Sequence, residues 1–333
     1  MDTACLIRNR VVTSKQLIQA FLIAVLCLIG HGNAVAQTYP TRPITLLLYA
    51  PPGGILDVVA RLFEQKMSAS LGQPIVINYK PGANGAIAAD ALVRAAPDGY
   101  TLLFDAIFNH TVLPKIQKLD YDPINDFQPI TTVFSTQIVL AVPKSLPVKT
   151  AAELAAYAKA KQEGLNYGSQ GNGSTGHILG TLFQSKSGAP ITHVPYKGAN
   201  LLQTDLITGR LDFGFISYST AQPQLKDLRI LAIASPSRWS EIPDVPTMAE
   251  SGYPGVDFDT WFAVLAPRGT PGPIVERLRQ EFQKAAQDKD LAAQLSARGL
   301  FVKTSTPAEV SEMISLEAQK VDSIDNLLNL TPN

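Results

Sequence analysis

Two glycine-rich turns carry the residues best suited to binding chemistry. The first, Pro51-Pro52-Gly53-Gly54, joins an apolar run (Ile44 to Tyr49) to a stretch in which Ile55, Val58, Val59, Leu62, Phe63 and Met67 recur at helical spacing. A helix start presents unpaired backbone N–H groups and roughly half a positive charge, which makes it a ready anion site. Glycines let a ligand come close to the backbone. Asp57 falls in the first helical turn and has two readings: an acid favoured by the helix dipole, or a ligand contact, direct or through water. The second turn runs from Gly168 through Ser169, Gln170, Gly171, Asn172, Gly173, Ser174 and Thr175 to Gly176, again between a strand and a helix. Its hydroxyls, amides and bare backbone suit a carboxylate, and it exceeds the usual connector of about two to six residues. The plainer reading is a turn with serine as the helix N-cap.

Other motifs carry less. Gly171, Gly173 and Gly176 match the dinucleotide fingerprint G-x-G-x-x-G. The acidic residue that should end the next strand is absent, since that strand runs into Pro195-Tyr196-Lys197-Gly198, and we reject a dinucleotide site. Asp212-Phe213-Gly214 imitates a kinase element without the other kinase parts and reads as a strand. His110, His177 and His193 are not spaced as zinc ligands of H-E-x-x-H type, so no metal site and no cofactor is expected. An exported hydrolase using Ser174 and His177 stays open as a minor reading, because its geometry is not legible in sequence.

The N-terminus bounds the compartment. Arg8, Arg10 and Lys15 precede an apolar run, Leu17 to Ile29, and then Ala34-Val35-Ala36, the three-part layout of a secretory signal peptide. We expect residues 1–36 to be removed after Ala36 and the remainder to reside in the periplasm. The apolar run is short of the ~20 residues of a membrane span, so a retained anchor is the weaker alternative. Both cysteines, Cys5 and Cys27, lie in this leader, which excludes a disulfide framework, a cysteine nucleophile and a thiolate metal site from the mature chain. The precursor has 28 basic and 28 acidic residues; without the leader's three and one it is formally 25 minus 27, or −2. With no basic stripe, nucleic acid and anionic membrane surfaces are poor partners.

These residues need a scaffold. Ile44–Tyr49, Ile75–Asn78 and Thr101–Phe104 alternate with two helical patterns, which is the rhythm of an α/β layer. The rhythm restarts after Pro143: helices at Ala151–Lys161, His177–Ser187 and Leu201–Thr208 alternate with strands at Leu165–Tyr167, Ile191–Val194, Leu211–Phe215 and Ile230–Ala234. Apolar runs at Val139–Val142 and Phe262–Leu265 are candidates for two crossings between lobes, and Pro273–Asp288 reads as a helix. The expected division is a first lobe of residues 37–140 plus 262–333 and a second of 141–261, each a mixed, mostly parallel sheet flanked by helices. No fixed-period repeat or low-complexity tract is present.

The mature chain resembles the Bug-type, or tripartite tricarboxylate transporter, periplasmic solute-binding family from Tyr39 to about Glu317. The blocks that carry the resemblance include Tyr39-Pro40-Thr41-Arg42-Pro43, the Pro-Pro-Gly-Gly turn, Ala95-Ala96-Pro97-Asp98-Gly99-Tyr100, His193-Val194-Pro195-Tyr196-Lys197-Gly198 and Pro243-Asp244-Val245-Pro246-Thr247. The resemblance implies a type II-like, two-lobe clamshell that closes on a small carboxylate without catalysing a reaction. It implies ligand contacts at Pro52, Gly53, Gly54, Ile55 and Asp57 on one lobe, and at Ser169, Asn172, Ser174, Thr175, Tyr196, Lys197 and Ser217 on the other. Asn109 and His110 would line the cleft. The implied partner is a membrane permease, with input to a membrane sensor kinase as the alternative. The chain departs from the family where Ile55 and Leu56 replace small or polar residues, and where Ile216 and Ser217 follow Phe215 in place of an acid. Either the pocket is less polar and disfavours an amine, or Ile55 and Leu56 merely face the core.

Overall fold

The β-rich runs assemble into two sheets in the computed structural model of the protein, which describes residues 39–328 apart from Lys197, Asp259 and the side chains of Asp325 and Leu328. The leader and its expected cleavage site lie outside the described residues. Residues from Arg42 onward form one unit, and residues 1–41 another, of which only 39–41 are described.

The first sheet has the order β11-β4-β10-β3-β1-β2, built from β1 (Ile44–Leu48), β2 (Ile75–Tyr79), β3 (Thr101–Ala106), β4 (Phe127–Thr136), β10 (Thr260–Pro267) and β11 (Leu300–Val302). The second has the order β7-β6-β8-β5-β9, from β5 (Ile138–Pro143), β6 (Leu165–Ser169), β7 (Ile191–Pro195), β8 (Phe213–Ser217) and β9 (Leu228–Ile233). Strands joined by helices pair in parallel: β1 with β2 and β3, and β6 with β7 and β8. The strands next to the passages between sheets pair antiparallel: β10 with β3 and β4, and β5 with β8 and β9. Both sheets are therefore mixed. Strands buried on two faces read as continuous apolar runs, which is why Val139–Val142 and Phe262–Leu265 look alike in sequence. Each is a central strand segment, not itself a crossing. The chain leaves the first sheet at Thr136 and enters the second at Ile138. That junction is pinned by Tyr218 N–H on Gln137 O (2.7 Å) and Ala234 N–H on Ile138 O (2.8 Å).

Helices cover the sheets. α1 (Ile55–Leu71) follows the first glycine turn and ends at Gly72, whose φ of 67° closes the helix with its N–H on Ser68 O. α2 (Ala86–Val93) follows β2, and two short helices, α3 (Phe108–Thr111) and α4 (Leu113–Ile116), follow β3. α5 (Ala151–Ala160), α6 (Thr175–Ser187), α7 (Ala199–Ile207) and α8 (Tyr218–Ala221) serve the second sheet. α9 (Gly272–Ala286) packs Phe282 on Phe63 of α1, with ring centroids 5.7 Å apart. After α10 (Lys289–Ser296) comes α11 (Pro307–Leu328), which belongs to both cores: Val310 and Ile314 pack with Leu47 and Leu103, whereas Val321 and Ile324 pack with Phe183 and Phe258. No helix among the described residues is long and apolar enough to cross a membrane.

One contact fixes how α6 lies on its sheet. Gly180 faces the Tyr167 ring so closely that an added Cβ would overlap the ring carbons. Tyr167 is itself stacked on Phe213 at 5.4 Å. Gly180→Val should therefore destabilise the fold by about 1–3 kcal/mol through overpacking. A lower midpoint with an unchanged slope in urea unfolding checks this.

Candidate functional site

The Gly168–Gly176 turn, and the residues that flank the Pro51–Gly54 turn, line one cleft between the sheets. It has two adjoining chambers, of about 250 Å³ and about 260 Å³. Tyr49, Gln170, Ser174, Thr175, Thr260 and Phe262 line both and form the waist between them. The first chamber continues along Ile55, Leu56, Ile138, Ile216 and Leu300, with Ser217 and Ser219 at its edge. The second continues along Asn84, Phe108, Asn109, Ile116 and Asn172. Among the described residues no charged side chain lines either chamber.

The second turn is the better braced. Ser174 caps α6: its Oγ accepts the His177 N–H at 3.4 Å and donates to Gly171 O at 2.7 Å. Gly173 N–H donates to His177 Nδ1 (3.0 Å), so that nitrogen carries no proton. Ser169 is fully buried; its Oγ accepts the Gly171 N–H (3.1 Å) and lies 2.6 Å from His193 Nε2. Beneath the loop the two imidazoles stack, centroids 4.1 Å apart and planes 15° from parallel. Burial lowers the pKa of both, and for His193 burial together with the charge that His177 would carry brings it down to about 4. This arrangement is not a nucleophile–base pair at Ser174, whose proton goes to a carbonyl while His177 supports the loop.

The first turn is braced by Asp57. Its Oδ2 accepts the Gly53 N–H (2.8 Å), and its Oδ1 accepts from the Tyr79 hydroxyl (2.7 Å) and Arg61 Nε (2.9 Å). Burial alone would raise its pKa, but the Gly53 N–H, the Tyr79 hydroxyl and the Arg61 guanidinium together hold it below the usual carboxylate range. Asp57 therefore shapes the turn and does not line the cleft. Leu56, 2 % exposed, serves both core and cleft floor, whereas Ile55 is 40 % exposed and reaches into the cleft. Pro52 and Gly53 are exposed beside the cleft without lining its chambers, and Gly54 is the extended N-cap of α1.

The remaining expected residues divide in the same way. Asn109 lines the second chamber and donates from Nδ2 to Asp105 Oδ1 (2.6 Å). His110 is turned inward: its Nδ1 is 2.6 Å from Pro123 O and its Nε2 3.2 Å from Asp105 Oδ2, with its ring edge-on to Phe127. Tyr196 donates to Asp205 Oδ2 (2.7 Å) and lines neither chamber. Asn172, Ser174, Thr175 and Ser217 line the cleft, and Lys197 lies outside the described residues. Sequence reasoning missed Tyr49, Thr260 and Phe262 as lining residues. Their signal was positional, because ligands in open α/β sheets lie beyond strand ends and these residues stand at the end of β1 and the start of β10. Burial, with the Asp105 charge adding to it, pushes the Tyr49 phenol well up, so that it stays a hydroxyl donor.

Comparison with known proteins identifies the family and the fold. The family model described as tripartite tricarboxylate transporter family receptor matches residues 59–330. The chain is similar to Protein BugT of Bordetella pertussis, 35 % identical over 289 residues, covering 86 % of this chain and 89 % of that one. Among solved structures it resembles Rpa4515 of R. palustris with adipate (32 % identity, TM-score 0.78, covering 89 % of this chain and 100 % of that one). It also resembles MatC (Rpa3494) from Rhodopseudomonas palustris with bound malate (30 % identity, TM-score 0.73, covering 87 % and 100 %). The chain belongs to the tripartite tricarboxylate transporter receptor family, and its fold is the two-lobe fold of periplasmic binding proteins.

The stacked imidazoles make the second turn acid-sensitive. An unfolded histidine takes up its proton near 6.5, whereas His193 in the folded chain does so only at about 4. Its contribution to stability is full above the first value and is lost as pH falls toward the second. Urea unfolding of the native chain should show a falling midpoint across that window. In His193→Gln the fall should shrink relative to the native chain.

Proposed function

We propose that this protein is an extracytoplasmic solute-binding receptor that captures a small carboxylate in the cleft between its lobes and presents it to a membrane permease. The observation that carries this reading is the convergence of two helix starts on one cavity. Ile55 and Leu56 of α1 line the first chamber from one sheet, and Thr175 and Gly176 of α6 line it from the other. Each start offers N–H groups without intrahelical partners, and together they supply positive potential where no cationic side chain of the described residues does. The relatives with adipate and with malate support a carboxylate as the ligand class. The family description supports a transporter as the partner, and the leader read from residues 1–36 supports export to the periplasm.

In this reading the lobes follow the two sheets. The passages then fall at Gln137 and just before Thr260, a few residues ahead of the divisions drawn from sequence at 140 and 261. Ligand contacts from both sides would favour the closed arrangement over the open one, and this difference in contact is what drives closure. The hydrogen bonds of Ser174 and His177 support binding over hydrolysis, since both groups hold the loop in place.

Thr175→Val is the cleanest test, because it keeps the branched shape at the cleft and leaves the Ser174 cap intact. Loss of a hydrogen bond to a charged ligand costs roughly 1.5–3 kcal/mol, about 10- to 150-fold in affinity. Titration calorimetry with the best-binding carboxylate should show that loss at an unchanged unfolding midpoint. Unchanged affinity would remove Thr175 from the site.

A further inference from the structure

Asn109 is 5 % exposed and yet lines the second chamber, and its neighbours decide which end of its amide meets a ligand. Asp105 Oδ1 accepts the backbone N–H of Ala106 (2.9 Å) and the side chain of Asn109 (2.6 Å). An accepting carboxylate oxygen requires the amide nitrogen opposite it, so the orientation of the amide is fixed by chemistry. Asp105 is held in turn: its Oδ2 lies 3.2 Å from Nε2 of His110, whose Nδ1 is 2.6 Å from Pro123 O. On its other side the amide nitrogen abuts Gly85, where an added Cβ would come within 2.4 Å of it. Gly85 ends a turn, Gly82-Ala83-Asn84-Gly85, with positive φ at every residue, including Ala83 (45°) and Asn84 (51°). Backbone of that kind persists only where the surroundings impose it. The nitrogen of Asn109 is therefore enclosed, whereas its Oδ1 has no hydrogen-bond partner among the described residues and stays open to the chamber.

A ligand that closes this cleft takes water away from that oxygen, and a buried acceptor left without a donor is costly. Neither a carboxylate nor a methylene can donate to it, whereas a hydroxyl can and brings no new charge. We infer that the ligand is a hydroxycarboxylate: its carboxylate lies at the waist beside Thr175, and its hydroxyl donates to Asn109 Oδ1 in the second chamber. This rests on the carboxylate-receptor reading and narrows it. Asn109 is the specificity-determining residue, and Asp105 is a positioning residue that keeps the oxygen, and not the nitrogen, turned to the ligand.

The test uses the mature chain, freed of co-purified ligand by unfolding and refolding, and calorimetry with pairs that differ by one hydroxyl: malate against succinate, lactate against propionate, and 3-hydroxybutyrate against butyrate. In at least one pair the hydroxy acid should bind about 5- to 150-fold tighter, the cost of leaving a buried acceptor unpaired. Asn109→Ala should bring that ratio to about one. Asp105→Asn, which can present either end of its own amide to Asn109, should lower the ratio as well, with urea unfolding reporting that the variant is folded. A loss of structure alone would weaken both members of a pair and leave their ratio intact. Equal binding within every pair, or a ratio that survives Asn109→Ala, would overturn the inference while leaving a carboxylate receptor in place. Aspartate binding tighter than malate would also overturn it, by assigning the oxygen to an ammonium. Binding of none of these acids would overturn the receptor reading with it.

Discussion

An anion in a cleft whose described walls hold no charged side chain can be held only by dipoles and hydroxyls fixed in place beforehand. A flexible lysine can follow a ligand, whereas a backbone N–H cannot. The rigidity of the two turns is thus the constraint on which the rest depends. At the first turn a buried carboxylate, Asp57, holds Gly53 through its N–H and is itself held by Tyr79 and Arg61. At the second, Ser169, Ser174 and His177 each take a backbone N–H of the loop or of the helix start. Several of the most polar residues near the cleft are therefore occupied in shaping it, and the surface left for ligand is hydroxyl, amide and hydrocarbon.

The same constraint explains the strength of the joint between the sheets. Two helix starts on different sheets converge only if the sheets are placed accurately. The one-residue passage at Gln137 accepts the N–H of Tyr218, which opens α8, and the adjoining Ile138 accepts that of Ala234, just past β9. α11 adds an attachment remote in sequence, with Val310 and Ile314 in one core and Val321 and Ile324 in the other. Ion pairs reinforce it on both sides, between Lys320 and Asp257 and between Lys115 and Asp322 (2.7 Å). α11 thus ties the two cores together beside the two passages.

Much of this architecture was legible in sequence, because turn chemistry and periodicity are local. Pro51-Pro52-Gly53-Gly54 and the Gly168–Gly176 loop announce strand-to-helix turns, and the family blocks fix the fold. The strand β4 was not legible. Its Pro129 and its polar pair Thr131 and Thr132 disguise a buried strand, and the disguise works because Ser305, 173 and 174 positions away, satisfies those threonines. Asp57 kept two readings, and His110 was expected to line the cleft, because residue type and position are all that a sequence offers. Whether a carboxylate or an imidazole points to the cleft or to the core depends on partners such as Tyr79 and Asp105, which only the fold brings near. Ile55 and Leu56 show the same limit. Adjacent in sequence and alike in type, both line the cleft, but the helix leaves Ile55 exposed there and sinks Leu56 into the core as well.

The most direct test of the account is a crystal structure of the mature chain with a tightly bound carboxylate. The account predicts the carboxylate oxygens at the waist, within hydrogen-bond distance of Thr175 or Ser174 and of the N–H groups opening α6 or α1. A carboxylate bound outside this cleft, or one held in it chiefly by a lysine or arginine side chain, would contradict it.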